Sequence, residues 1–392
     1  MATVLDRTTR TPGRQRWLPV AALAAGTFAI GTDMFVMAGL LAGIAHDLDV
    51  TIGTAGLTVT VFALAYAIGA VLLSALLGGR PPRRVLVGSM ALFGTLSVLA
   101  AAAPAFPALL AVRVPAALAA SVYVPAAGAA AVAAVPAAHR GRALGVILAG
   151  TSAAMVAGAP LGVTLAAALS WRAAFGLVAV LAAVTVGALL LTPAGSAPPA
   201  RATVRERLRP LRSPAVAGAL GVTFLVMTAS FGMYTYLPSL LEAAPGQLGA
   251  AVAAFGIGGL AGVWWGGSAA DRSGTGRVIV PALTALAVMF AALAHVAAVP
   301  AGALAVTAGW GIAAWAFVPA QQHRLIGLGD GPAPLPLALN SCAVHLGSAT
   351  GALLGGLLVD TAGAGRLWLP AVACLAAALA LHKIYTRKAG TS

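Results

Sequence analysis

The chain has 392 residues, of which 60% are hydrophobic and 8% are charged. Soluble domains carry about 25% charged residues, so this composition excludes a water-soluble protein and indicates a chain that lies largely in lipid. The formal net charge of +14 would suit a nucleic-acid partner, but the arginines form short runs between apolar stretches, which argues against nucleic-acid binding and is typical of membrane proteins.

Twelve apolar stretches are each long enough to cross a bilayer as a helix, which takes about 20 residues. They lie near 18–40, 54–77, 85–103, 108–135, 143–169, 172–193, 215–240, 248–268, 278–299, 301–325, 335–359 and 367–385. Backbone groups in lipid must be hydrogen-bonded within the segment, and the alternation of a membrane β-barrel is missing. We therefore predict an all-α integral membrane protein. The first stretch is too long for a secretory signal, so we predict that it is a membrane span.

The first span contains Asp33, the one acidic residue deep within any predicted span. A charged carboxylate at the bilayer centre costs about 2.5–3.5 kcal/mol, so such a residue usually faces the interior of the helix bundle and often carries protons. Burial also disfavours the charged form of a carboxyl group, which would link protonation to the access of water. The alternative is a structural tether near Gly31.

Similar basic loops follow the second and the eighth span, at the same place in each half of the chain. The first loop contains Arg80, Arg83 and Arg84, and the second contains Gly267, Asp271, Arg272 and Gly274. An aspartate near a helix end can pair with arginine or cap backbone amides, so the second loop is expected to hold helices together. The alternative is that the arginines only anchor the loops in the cytoplasm.

The fourth and fifth spans carry further candidates. Arg113 in the fourth span either meets Asp33 or extends its long side chain to the outer interface, and the sequence leaves both possibilities open. The fifth span contains Gly150, Gly158, Pro160 and Gly162. Small residues let membrane helices approach closely and proline bends a helix, so this span is expected to pack tightly against a neighbour.

The longest loop, 194–213, contains five arginines and divides the chain into six-helix units at 1–193 and 214–392. If the N-terminus is cytoplasmic, 20 of the 23 lysines and arginines fall on the cytoplasmic side, as the positive-inside rule requires. We therefore predict a multi-pass protein of the inner (plasma) membrane with both termini and the linker in the cytoplasm. Parallel repeats of this kind place a substrate cavity between the two halves.

Aromatic and polar side chains in the second half are the candidates for lining that cavity. They are Tyr234, Tyr236, Trp310, Trp315, Asn340 and His345. Aromatic rings can stack against an aromatic substrate, although packing would equally explain each single ring. For His345 we favour cavity lining over proton relay.

These features together resemble the major facilitator superfamily, and within it the drug/proton antiporters, especially actinobacterial chloramphenicol-resistance proteins and sugar-efflux relatives. The loop after the eighth span is similar to the family motif G-x-x-x-D-R-x-G-R, which in the family latches helices on the cytoplasmic side. The first-half loop departs from it with Gly79 in place of Asp, so that Gly79→Asp is expected to do little harm. The glycine and proline pattern of the fifth span resembles the antiporter motif, and Arg113 matches the arginine of a motif linked to proton coupling.

The resemblance implies a monomeric secondary transporter that exports small, partly apolar molecules, such as a phenicol, in exchange for protons by alternating access. It implies no enzyme activity and no cofactor. Two cysteines are too few for a metal cluster, and the chain has no ATP-binding lysine motif, so the proton is the expected driving ion. The alternatives are a sugar or metabolite efflux permease with weak or no proton coupling, and a non-transporting membrane sensor.

Overall fold

The computed structural model describes residues 13–77, 79–192, 204–241, 247–328 and 334–389. Within these ranges, twelve helices are long and apolar enough to cross a membrane, which confirms the predicted all-helical membrane fold. We label them α1 to α12 in chain order. Those of the first half are α1 (Gly13–Asp47), α2 (Ile52–Leu76), α3 (Pro82–Ala101), α4 (Phe106–Ala133), α5 (Arg140–Ala168) and α6 (Trp171–Leu191). Those of the second half are α7 (Pro214–Thr235), α8 (Leu248–Ser273), α9 (Gly276–Val296), α10 (Pro300–Leu328), α11 (Pro334–Ala362) and α12 (Trp368–Ala389).

Helices pack within each half and across the two halves. In the first half α3 packs on α6 and α2 on α4, and in the second half α8 packs on α10 and α7 on α11. Across the halves α2 lies along α11, and α5 touches α8. One apolar core is confined to the first six helices, and a larger one contains side chains from both halves. Residues 194–203 of the predicted linker lie outside the described residues, and 204–212 form short helical turns.

Charged residues distinguish the two ends of the bundle. At one end lie Arg80, Arg84, Arg140, Arg142, Arg272 and Arg277, and we call it the arginine-rich end. At the other lie Asp47 and Asp360, and we call it the acidic end. Helix α1 continues beyond its predicted limit at residue 40, and its further residues Leu41 and Ile44 are buried. The helix ends at Asp47, which therefore contributes its carboxylate to the acidic end.

Helix α5 packs closely against α1 and contains an irregular turn. Its first part ends at Ala153, a π-helical turn occupies Ala154–Gly158, and the helix resumes at Ala159. Pro160 follows the wide turn, as expected of a residue that has no backbone N–H to donate. A side chain at Gly150, Gly158 or Gly162 would collide with Thr27, Thr32 or Val36 of α1, respectively. These glycines are therefore required for the close approach of the two helices.

The two basic loops differ in their backbone. Gly274 has φ 87° and closes α8 by donating its N–H to the Ala270 carbonyl at 3.0 Å. Gly79 also has a positive φ, of 90°, in a region that residues with a side chain rarely adopt. The expectation that Gly79→Asp would do little harm is therefore wrong, because the backbone there favours glycine. Arg83 donates to the Leu190 carbonyl at the end of α6, which ties α3 to α6.

The aspartate of the second loop, Asp271, lies at the surface. Asp271 and Arg272 are both exposed, near the C-terminal end of α8. Among the residues that the structure describes, no lysine or arginine lies within ion-pair distance of Asp271. Gly267 lies one turn earlier on α8, with room for a side chain next to Pro319. The helix-latching role expected of this loop therefore stays a prediction.

Candidate functional site

A buried ion pair joins α1 to α4. Nη1 of Arg113 donates to both carboxylate oxygens of Asp33, at 2.7 and 2.8 Å. The two side chains are only 3% and 1% exposed. Of the two possibilities that the sequence left open for Arg113, the structure thus shows the contact with Asp33, and the guanidinium does not extend to the interface.

The surroundings of this ion pair are apolar. The guanidinium carbon of Arg113 lies 4.2 Å from the ring centre of Phe62 on α2 and 5.6 Å from that of Phe175 on α6. Cation–π contacts of this kind contribute about 2 kcal/mol or more when they are desolvated. Asp33 supplies the only negative charge in contact with the guanidinium among the described residues. The charge of Asp33 therefore decides whether Arg113 is stable in this position.

A cavity of about 290 Å³ lies between the two halves. Its walls come from α1, α2, α4, α5, α7, α8, α10 and α11. Of the six predicted lining residues, the cavity contains Tyr234, Trp310, Trp315, Asn340 and His345. The two helices of the ion pair, α1 and α4, thus both also contribute to the cavity wall.

Aromatic rings line the part of the cavity toward the acidic end. The ring centre of Tyr234 lies 5.0 Å from that of Phe255, and Trp310 lies 5.1 Å from Phe255. Phe35 of α1 closes the group, with an edge-on contact to Trp315 at 6.0 Å. The Tyr234 hydroxyl donates to the Phe35 carbonyl at 2.9 Å. This bond connects the two halves directly beside the cavity.

Polar side chains occupy the other part of the cavity. Thr223 donates to Oδ1 of Asn340 at 2.8 Å, and Nε2 of Gln321 donates to the Ala219 carbonyl at 2.6 Å. The ring of His345 stacks on Tyr66 of α2, with centres 3.8 Å apart. Sequence reasoning missed Thr223 and Gln321, although polar residues inside a span were a signal for them.

Tyr236 was predicted to line this cavity, but the structure places it outside the lining. Helix α7 ends at Thr235, and Tyr236 is the residue that follows it. Its hydroxyl donates to the Ala352 carbonyl at 2.7 Å, and its ring fills space left by Gly56 of α2 and Gly355 of α11. Tyr236 therefore packs helices together instead of facing a ligand.

Hydrogen bonds close the acidic end between the halves. The carboxylate of Asp360 at the end of α11 accepts from the Thr51 hydroxyl at 2.6 Å and from the Gly53 N–H at 3.0 Å. Both groups belong to the first turn of α2 and its cap, where a negative charge is favourable. Lining residues such as Leu148 and Leu337 lie toward the arginine-rich end. The cavity therefore extends toward the arginine-rich end and is closed at the acidic end.

Helix α1 takes part in both the ion pair and the cavity. Gly31, Met34 and Phe35 line the cavity. Asp33 lies on a different face of the helix, because successive residues are rotated by about 100°. A displacement of α1 that follows a change at Asp33 would therefore change the cavity wall.

Comparisons with known proteins agree with this architecture. Residues 23–326 match the family model described as Major Facilitator Superfamily. The inner membrane transport protein YdhP of Escherichia coli (strain K12) is 33% identical over 372 residues, which cover 94% of this chain and 95% of the relative. A chloramphenicol resistance protein of Streptomyces lividans is 35% identical over 374 residues, which cover 92% of this chain and 95% of the relative.

A solved structure shares the fold. It is the crystal structure of a bacterial homolog to the human lysosomal transporter Spinster, in an inward-facing and occupied conformation. The match has a TM-score of 0.77 at 16% identity and covers 96% of this chain and 98% of that one. The chain therefore belongs to the Major Facilitator Superfamily, as a multi-pass membrane secondary transporter and not an enzyme.

Proposed function

We propose that this transporter exports small, neutral, partly apolar molecules, such as a phenicol, in exchange for protons. The observation that carries the proposal is the buried pair of Asp33 and Arg113 on the helix that also lines the cavity. The chloramphenicol resistance protein among the relatives supports the substrate class. Asp33 is the proton-binding group in this proposal, and Arg113 senses its charge.

Coupling follows from the cost of leaving one partner of a buried ion pair alone. When Asp33 binds a proton, Arg113 loses the negative charge that offsets its burial, and loss of one partner costs about 3–5 kcal/mol. A shift of α1 away from α4 relieves that cost. Because α1 also forms the cavity wall, protonation and substrate binding then favour different conformations, and each lowers the affinity for the other.

Positive charge orients the protein in the membrane. The arginine-rich end is placed in the cytoplasm by the positive-inside rule, which puts the acidic end on the outer side of the plasma membrane. The cavity observed would then receive substrate from the cytoplasm. In the opposite state, the contacts of Asp360 would be broken and the cavity would open outward. Both states belong to a single chain, so the protein would act as a monomer.

The lining of the cavity supports a neutral, partly apolar substrate over a sugar. Among the described residues, those that line it include no aspartate, glutamate, lysine or arginine. Aromatic rings form the closed part of the cavity, where most hydroxyl groups of a sugar would lose water without gaining hydrogen bonds. A partly apolar molecule with an aromatic group gains contact area in the same place.

The experiment is chloramphenicol transport by the purified protein in liposomes, with and without an imposed pH gradient. Proton exchange predicts that the compound accumulates on the more acidic side and that collapsing the gradient abolishes accumulation. Equal final concentrations on both sides, whatever the gradient, would favour facilitated diffusion. Binding without any flux would favour a sensor.

A further inference from the structure

Four residues that line the same cavity each carry a buried polar atom without a hydrogen-bond partner. Among the described residues, these atoms are Oγ of Ser230, Nε1 of Trp310, Oε1 of Gln321 and Nε2 of His345. The four residues are between 0% and 7% exposed, and all four line the cavity. Buried polar groups in proteins are nearly always hydrogen-bonded, so their convergence on one space indicates a ligand that supplies the partners.

The other hydrogen bonds of Gln321 and His345 fix their roles as acceptors. Nε2 of Gln321 donates to the Ala219 carbonyl, so the amide oxygen is the atom that is left to accept a hydrogen bond from a ligand. Nδ1 of His345 lies 2.8 Å from the Ser341 carbonyl, which can only accept. The proton of the neutral ring is therefore on Nδ1, and Nε2 is an acceptor.

The remaining two groups supply donors. The indole N–H of Trp310 can only donate, and the hydroxyl of Ser230 can donate or accept. Trp310 is also part of the aromatic group around Phe255 and Tyr234. The cavity thus has an aromatic part that contains a donor and a polar part with two acceptors. Its volume of about 290 Å³ is at the lower limit of small-molecule sites, about 300–1,000 Å³.

We infer that the ligand is a neutral aromatic compound with two O–H or N–H donors, which bind Oε1 of Gln321 and Nε2 of His345. Its aromatic ring lies among Phe255, Tyr234 and Trp310, and an acceptor on the ligand receives the Trp310 N–H. The inference rests on the proposed function for the existence of a substrate in this cavity. It adds which groups of the substrate are recognised and by which side chains.

The test compares chloramphenicol, which has two hydroxyl groups, with an analogue in which both are methylated. Equilibrium binding is measured on the purified full-length protein in lipid nanodiscs at pH 8, which is well above the ordinary pKa of a histidine side chain. The wild-type protein should bind the methylated analogue at least about tenfold more weakly, because the buried acceptors remain unpaired. His345→Phe keeps a flat ring on Tyr66 and removes the acceptor, so this preference should fall to about threefold or less.

The control is His295→Phe. His295 also bonds a carbonyl four residues earlier, that of Ala291 at 2.9 Å, but it is exposed on α9 and lies outside the cavity lining. It should leave the wild-type preference unchanged. Equal binding of both compounds by the wild type, or no specific binding of either, would overturn the inference, even where His345→Phe fails to fold.

The two proposals fail in different ways. A preference for chloramphenicol that persists in His345→Phe would remove His345 from the recognition scheme. Gradient-driven accumulation of chloramphenicol, together with equal binding of both compounds, would contradict the recognition scheme and leave the export proposal standing. The reverse result, clear discrimination without transport, would contradict export and leave the scheme standing.

Discussion

At the scale of single residues, the structure contains one buried ion pair and one solvent-exposed ion pair between an aspartate and an arginine, among the described residues. Asp33 and Arg113 are almost fully buried, whereas Asp47 and Arg172 pair at 2.8 Å with side chains 37% and 36% exposed. An exposed pair contributes about 0–1 kcal/mol, because water screens both charges. Removing one partner of a buried pair costs about 3–5 kcal/mol, because the other charge is left without compensation.

We therefore expect Arg113→Gln to destabilise the protein by about 3–5 kcal/mol. The double variant Asp33→Asn/Arg113→Gln should recover a large part of that loss, since no charge is left buried. Denaturant unfolding of the purified proteins in detergent measures both effects. Arg172→Gln is the control and should cost about 0–1 kcal/mol. Similar losses in Arg113→Gln and Arg172→Gln would show that the interior pair is not energetically distinct.

The sequence identified Asp33 because an acid within a span is rare, but it did not identify its partner. Arg113 lies 80 positions away, and only the packing of α4 on α1 brings the two together. Tyr234 and Tyr236 could not be separated either. They are two positions apart, but α7 ends between them, so one ring faces the cavity and the other packs on α2. Gln321 was missed because the direction of a polar side chain depends on tertiary hydrogen bonds.

At the scale of helices, two carboxylates near opposite ends of the bundle differ in their contacts. Asp360 connects α11 to the first turn of α2, whereas Asp271 at the end of α8 is exposed and makes no ion pair within the described residues. Alternating access requires one end to close as the other opens. Asp360 therefore stabilises the conformation observed, and we propose that Asp271 stabilises the opposite one.

We expect Asp360→Asn to increase the population in which the acidic end is open, because the amide holds the N-terminal turn of α2 less strongly than a carboxylate does. Spin labels at Leu169→Cys and Thr361→Cys, in a background with both native cysteines replaced by alanine, report the distance across this end. The distance distribution should gain a longer component. The matched variant Asp271→Asn should impair transport without adding that component. A longer component in both variants, or in neither, would contradict separate roles for the two carboxylates.

The helices themselves were largely predictable, since all twelve apolar stretches became spans. The irregular turn in α5 was not, because a π-helical turn depends on how Pro160 and the glycines fit against α1. The backbone of Gly79 was also missed. A family motif predicts the residue type at that position, but the positive φ of 90° is visible only in the structure.

At the scale of the whole molecule, the distribution of arginine predicts the orientation. With both native cysteines replaced by alanine, Ser273→Cys at the arginine-rich end should react with an impermeant maleimide only in permeabilised cells. Thr361→Cys at the acidic end should react in intact cells, because both side chains are exposed on the protein surface. Labelling of Ser273→Cys from outside in intact cells would reverse the topology and place the cavity opening on the outer side.

Our proposal for coupled transport combines three features of the molecule. They are the two halves, the cavity between them and the buried ion pair of Asp33 and Arg113. In the proposed mechanism, proton binding at Asp33 acts on Arg113, α1 transmits the change to the cavity, and the contacts at the acidic end open or close. Every step of this mechanism depends on the charge of one carboxylate, that of Asp33, which is not among the residues that line the cavity. Neutralising that carboxylate should therefore separate movement of the substrate from its energy source.

The most direct measurement is chloramphenicol transport by Asp33→Asn in liposomes, with the same amount of protein as in wild-type vesicles. The asparagine imitates a permanently protonated Asp33. We expect accumulation against the concentration gradient to be abolished, while exchange of labelled for unlabelled chloramphenicol across the membrane persists. If Asp33→Asn instead accumulates chloramphenicol toward the acidic side as well as the wild type does, Asp33 is not the coupling site.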